Sequence, residues 1–357
     1  MLAKALQFGP VGLETNLLLA PIAGWCDLAW RETVRECGGV GLACTDLLSP
    51  TGLIGGSEAS ADLARTSDLD QPIGMQLYGS DPAVMAAGAQ WCVEHGATVV
   101  DINMGCPVDK VTKKDGGSKL MCDLGRAERI AAAVRAAMPE RVPLTCKMRL
   151  GWDEAACDAG CAGELAVRLV RAGAAGITVH GRTTEQRFKG ACRLDGIRRV
   201  VERAGEVSSR WPVMGSGDGM SGGFAVVLSV ASGCAGGMIG RGAFARPRVF
   251  AEAWAAQQGE ELAEQTDAEA IGVIRRYFDR MIEYRGEHRA MHVMRQKISW
   301  LGRSVSGGHC KPLKDAVRTA REVGAVRHAL DEWVAAGAAA DGGGTSRERR
   351  SEAVTSP

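Results

Sequence analysis

A chain of 357 residues, 46% hydrophobic and 24% charged, is long enough for one large domain plus a small appendage and is composed like a globular protein that buries a core. Its 43 basic and 42 acidic residues leave a net charge of +1. The whole molecule therefore exerts no general pull on polyanions, and any nucleic-acid site must come from local clustering.

No run of eighteen apolar residues is present, so no membrane-spanning helix is expected. The opening MLAKALQFGPVGLETN has one lysine and no long apolar stretch, which argues against a secretory signal. A cytoplasmic location is expected, with the twelve cysteines as reduced thiols rather than a disulfide framework. Cys157 and Cys161 are spaced CxxxC with no second matching pair, so no metal site is expected.

Eight short apolar runs alternate with helical patterns along the chain. The runs are 17–20, 40–45, 73–78, 98–104, 143–149, 175–180, 212–215 and 236–240. They are rich in Val, Ile and Leu and mostly lack polar alternation, as strands covered on both faces should be. Between them lie amphipathic segments such as 81–95, 127–138, 163–172 and 221–232. The first of these opens Ser80-Asp81-Pro82, a cap followed by a proline suited to the first turn. Strand–helix repeated eight times indicates an α/β protein with a closed (β/α)8 TIM barrel. The rival, a doubly wound sheet, would carry a glycine fingerprint after its first strand, where this chain has PIAGWCD.

After Phe250 the pattern changes. The polar, acidic stretch 255–270 is expected to be a linker or surface helix, with 251–270 as a whole joining two domains. Helical spacing returns over 271–336, and the last residues, 337–357, are expected to be disordered. Between Ile271 and Ala335 there are thirteen lysines and arginines against seven acidic residues, together with four of the six histidines. A solvated helical face and a nucleic-acid surface both fit that excess.

In a barrel of this kind ligands sit at the carboxyl ends of the strands. Those ends carry Pro21, Gln76, Asn103, Lys147 and Arg149, His180, Ser216-Gly217-Asp218 and Gly240-Arg241. Lys147 and Arg149 alternate along one strand and so face the same way. Two cations facing a lumen are costly unless an anion or electron-rich ligand meets them. Cys106 sits on a turn flanked by Gly105 and Pro107, which exposes its thiol at the mouth. The glycine-rich turns GSGDG and IGRGAF follow the seventh and eighth runs, where barrels commonly hold a phosphate, and Arg241 could add an ion pair to it.

The segments LAPIAGWCD, MQLYGSD, DINMGCPVDKV, CKMRLGW, TVHGRTTEQRFKG, GSGD and MIGRGAF are similar, in order, to successive signatures of the tRNA-dihydrouridine synthases. The resemblance runs from about Leu18 to Phe250 and continues more loosely through MRQKISWLGR. It implies an FMN-binding barrel followed by a helical tRNA-binding domain, with NADPH as electron donor. It makes Cys106 the proton donor. It places Pro21, Ala23, Gln76, Lys147, His180, Ser216, Gly217, Asp218, Gly240 and Arg241 around FMN. Asn103 and Arg149 match positions near the target uracil, and Arg182 is expected on the substrate side with them. No dinucleotide fingerprint is seen, which implies that NAD(P)H exchanges at the flavin face, and no obligatory protein partner is evident. Two departures stand out: Ser216 replaces a usual asparagine, and Phe188 stands where tyrosine is common. Another FMN barrel oxidoreductase and a non-catalytic RNA-binding relative remain as alternatives.

Overall fold

The computed structural model describes residues 5–208, 211–219 and 221–341, which fall into two compact units. The first opens with a feature the sequence did not announce. β1 (Leu6–Phe8) and β2 (Val11–Leu13) form an antiparallel hairpin. Phe8 is buried, and its ring fills the space beside Gly176, where an added Cβ would come within 2.3 Å of Phe8 Cε1. Leu6, Phe8 and Leu13 join Leu18, Leu42, Val99, Met214 and Met238 in the apolar interior of the barrel.

The barrel comprises β3 (Leu17–Leu19), β4 (Leu42–Cys44), β5 (Ile73–Leu77), β6 (Val99–Met104), β7 (Leu144–Arg149), β8 (Ala174–His180), β9 (Val213–Ser216) and β10 (Gly236–Ile239). All pair in parallel, and β10 closes the ring against β3. This is the (β/α)8 barrel that the alternation of strand and helix patterns foretold, with each expected run containing or overlapping an observed strand. A second apolar core lies between strands and helices, where residues such as Val100, Ile102, Ile130, Leu144 and Leu165 meet. Strands enclosed by these two cores have no solvent face, which is why their sequences lack alternation.

Register aligns the chemistry. Gln76 is level with Asp101, and Asp101 with Thr145. Nearer the mouth, Asn103 is level with Lys147. In the last layer Arg149 is level with His180, and His180 with Ser216. Polar side chains thus stack toward the carboxyl end of the barrel, above an apolar base.

The helices start where their caps allow. Asp81 accepts a hydrogen bond from the Val84 N–H and begins the helix Pro82–Glu94. The region 251–270 is part helix and part connection. A helix covers Val249–Gln258 and ends at Gly259 with φ of 80°, and the next helix begins at Asp267. Val249, Phe250 and Ala253 are buried, so the apolar face of that helix outweighs the polarity of its later residues.

The second unit is helical. A Thr266–Glu269 capping box opens Asp267–Leu301, whose path is broken at Gly286 (φ 75°, ψ 163°). Helices Lys311–Thr319 and Val323–Asp341 pack with it. Phe278, Met294, Leu313, Val317 and Leu330 are buried there. The final helix continues to Asp341, into the stretch expected to be disordered, and the remainder of that stretch lies outside the described residues. All twelve cysteines are unpaired. No helix among the described residues is long and apolar enough to cross a membrane.

Candidate active site

The turn after β6 holds Cys106. Asn103 Oδ1 accepts from the backbone N–H of Cys106 at 2.8 Å and of Gly105 at 3.2 Å. From the next strand, Arg149 Nε donates to the Gly105 carbonyl at 2.7 Å. The thiol is half-buried at the mouth. Burial pushes its pKa above the ordinary value, against the opposing pull of the Val108 N–H and the charges of Arg149 and Lys147. It is therefore a protonated thiol at neutral pH, suited to give a proton rather than to attack as a thiolate.

Positive charge gathers on the strands that follow. Burial, and then repulsion by Arg149, lowers Lys147 to about 8. Burial lowers Arg149 to about 10, well within the range where it stays charged. His180 falls to about 2, through burial and then the charges of Lys147, Arg149, Arg182 and Arg241. Its imidazole is accordingly neutral. Arg182 Nη1 lies 3.3 Å from His180 Nε2, and because a guanidinium only donates, Nε2 must be the acceptor and Nδ1 must carry the hydrogen.

Arg182 and Asp218, expected beside substrate and cofactor respectively, are bonded to each other. Arg182 Nη2 reaches Asp218 Oδ1 at 2.5 Å and Oδ2 at 2.8 Å, and donates to the Gly190 carbonyl at 2.6 Å. Only 2% of Arg182 is exposed. Asp218 also accepts from the Cys192 N–H at 2.8 Å. Burial works to raise its pKa, but the hydrogen bonds from Arg182 and Cys192 prevail and hold it below the usual carboxylate range.

The remaining expected residues ring the same mouth. Ala20 N–H donates to the Ile239 carbonyl at 2.9 Å, and the Pro21–Ala23 turn that follows is pinned where Gly24 N–H meets Asp46 Oδ2 at 2.5 Å. Ser216 is buried at the end of β9, and its carbonyl accepts from Gly181 N–H at 3.0 Å. A Cβ on Gly217 would lie 2.3 Å from Cys192 Sγ, and one on Gly240 would lie 2.7 Å from Ile22 Cδ1. The Arg241 guanidinium lies 4.6 Å from the ring centre of Phe188, and that of Arg149 lies 5.7 Å from it. Phe188 itself is 53% exposed.

Three participants escaped the sequence reading. Asp101 precedes Asn103 by two positions, and the period of a strand puts both on one face, so a signal existed. Asp46 directly follows the run 40–45, a weaker signal. Cys192 comes from a loop and had none.

A parallel barrel with a protonated thiol and a group of cations at the carboxyl ends of its strands is the framework of a catalytic barrel. The chain belongs to the dihydrouridine synthase family, whose sequence model, described as "Dihydrouridine synthase (Dus)", matches residues 18–333. A protein of Synechocystis sp. named "Probable tRNA-dihydrouridine synthase 1" is 34% identical over 309 residues, covering 85% of this chain and 83% of that one. "tRNA-dihydrouridine synthase B" of Shewanella oneidensis is 33% identical over 296 residues, covering 83% and 88%. Among solved structures, 2-naphthoyl-CoA reductase superposes with a TM-score of 0.53 at 14% identity, over 72% of this chain and 52% of its own. The 6-hydroxypseudooxynicotine amine oxidase of Pseudomonas geniculata gives 0.52 at 13%, over 77% and 52%. This chain thus spans about half of those two proteins, and the likeness is one of fold.

Proposed function

We propose that this protein is a tRNA-dihydrouridine synthase: an FMN-dependent, NAD(P)H-using oxidoreductase that reduces the C5=C6 bond of particular uridines in tRNA. The observation that carries the reading, beside family membership, is the protonated Cys106 thiol set at the same mouth as Lys147, Arg149 and Arg241.

The mouth fits FMN. The cations that, after burial, help to keep His180 neutral would be matched by a phosphate and by a flavin that gains negative charge on reduction. Lys147 is placed to meet that charge on the ring, and Arg241 to pair with the phosphate beside the Gly217 and Gly240 turns, where side chains would collide with Cys192 and Ile22. When bound and reduced by NADPH or NADH, FMN supplies hydride to C6 of the uracil. Cys106 gives its proton to C5. Arg149 would meet the base that enters the mouth, while Asn103 would act from beneath, its buried side chain bonded to Gln76 and to the Cys106 turn. The uridine has to leave its stack to reach a barrel mouth, so an already loosened RNA loop is the favoured target. The basic excess of the helical unit supplies a surface for the rest of the tRNA.

The decisive experiment is mass analysis of tRNA from a strain lacking the gene, before and after complementation. Dihydrouridine should vanish from at least one position and return with the native chain but not with Cys106→Ala. Purified protein should be yellow and should bleach on adding NADPH. Unaltered tRNA in the deletion strain, or a colourless protein that takes up no FMN, defeats the reading.

A further inference from the structure

Beneath the mouth, four polar side chains form a continuous hydrogen-bond chain. Thr145 Oγ1 donates to Asp101 Oδ1 at 2.6 Å, and Gln76 Nε2 donates to Asp101 Oδ2 at 2.6 Å. Asn103 Nδ2 donates to Gln76 Oε1 at 2.7 Å, and Asn103 Oδ1 accepts from the N–H groups of Cys106 and Gly105. All four side chains are buried. Strand register builds the first part, since Gln76, Asp101 and Thr145 are level across β5, β6 and β7.

Each amide in such a chain has two orientations that exchange its oxygen and its NH2. Asp101 removes the choice. Both of its oxygens face donors, so Gln76 must turn its NH2 toward Asp101 and its carbonyl toward Asn103. Asn103 must then give its NH2 to Gln76, which leaves its carbonyl for the Cys106 turn. With the opposite polarity, an NH2 group would face two backbone N–H groups in a buried site, a costly arrangement.

We propose that Asp101 is a positioning residue for Cys106: it sets the polarity of the chain and, through Gln76 and Asn103, the conformation of the turn that presents the thiol. Its catalytic consequence rests on the reading of Cys106 as proton donor, whereas its effect on the turn does not.

A swap of charge and amide tests polarity directly in the full-length, flavin-loaded protein. In Asn103→Asp, two carboxylates face the single amide of Gln76, so one of them meets its carbonyl oxygen. Deuterium exchange at the Gly105 and Cys106 amides should then accelerate about tenfold, and kcat should fall by a similar factor with KM for tRNA little changed. Adding Asp101→Asn reverses the whole chain. The new carboxamide at position 101 donates to Gln76 Oε1, Gln76 Nε2 donates to the new carboxylate at position 103, and that carboxylate still accepts from Gly105 and Cys106. The double variant should recover slow exchange and most of kcat.

A double variant no better than Asn103→Asp overturns the proposal, because a merely structural role predicts that two buried substitutions are worse than one. Should Asn103→Asp fail to fold, Thr145→Val serves instead. It withdraws one donor from Asp101 and should give a smaller acceleration at the same two amides, and unchanged exchange there would refute the idea. Exchange is read without tRNA. A protein that obeys the swap yet reduces no uridine would refute the proposed function alone, and an active protein indifferent to the swap would refute the positioning role alone.

Discussion

Lys147 carries its pH dependence within its surroundings. Its value of about 8 in the fold, set by burial and then by Arg149, compares with 10.5 ordinarily. A charged lysine is thus more costly folded than unfolded; the cost is fully present below about 8 and fades as pH rises toward 10.5. In flavin-free protein, Lys147→Met should therefore raise the melting temperature at pH 7, with the gain shrinking above pH 8. Thermal melts across that range check it, and no gain at pH 7 would mean that the charge is already matched within the protein. His180 acts with the opposite outcome on the acid side. It stays neutral down to about 2 against an ordinary 6.5, so below 6.5 the unfolded chain takes up a proton that the fold refuses. Stability contributed by His180 is lost progressively as pH falls from 6.5, and His180→Gln should flatten that acid decline in denaturant titrations. Cys106→Ala should retain yellow flavin and tRNA binding while turnover drops by roughly 10²-fold or more, the usual worth of a positioned general acid. At this scale the sequence was informative, because strand ends could be located and their residue types read. The pairing of Arg182 with Asp218 was hidden, since 36 positions separate them along the chain and only the curvature of the barrel brings them together.

Element by element, the strands and most of the helices between them were legible, and the reasons are local. Apolar runs of strand length without alternation signal strands covered on both faces, and Asp81-Pro82 signals a helix start. Asp81→Ala should cost about 1 kcal/mol through loss of the cap, measurable by urea unfolding with no change in flavin spectrum. Turns are less forgiving. Gly217→Ala would drive a Cβ toward Cys192 Sγ, displacing the turn that carries Asp218, and purified protein should lose most of its flavin. Retention of full flavin would show that the turn relaxes around the methyl group. The hairpin Leu6–Phe8 and Val11–Leu13 was missed because Gln7 and Gly12 interrupt its three-residue strands, whereas the equally short Leu17–Leu19 and Leu42–Cys44 are apolar throughout. Its role as the apolar closure beneath the barrel is purely tertiary.

For the molecule as a whole, the net charge of +1 conceals a basic helical segment. Part of that charge is met internally, as in the Arg327–Asp279 and Lys311–Asp315 pairs, while Arg289 and Arg303 are exposed. If this surface holds tRNA, affinity should fall steeply with salt, and Arg289→Ala or Arg303→Ala should each lower the slope of log affinity against log salt by about 1 without altering flavin content. A slope unmoved by either change would place the RNA elsewhere. The sequence alone determined the eight-fold alternation, the identity of the groups at the strand ends and the family, because these depend on residue type and on spacing within a few positions. Only the tertiary structure decided which of those groups touch, that Asp101 lies under the Cys106 turn, and that burial, with four cations around it, keeps His180 neutral. Such facts follow from strand register and barrel closure, which join residues far apart in the chain.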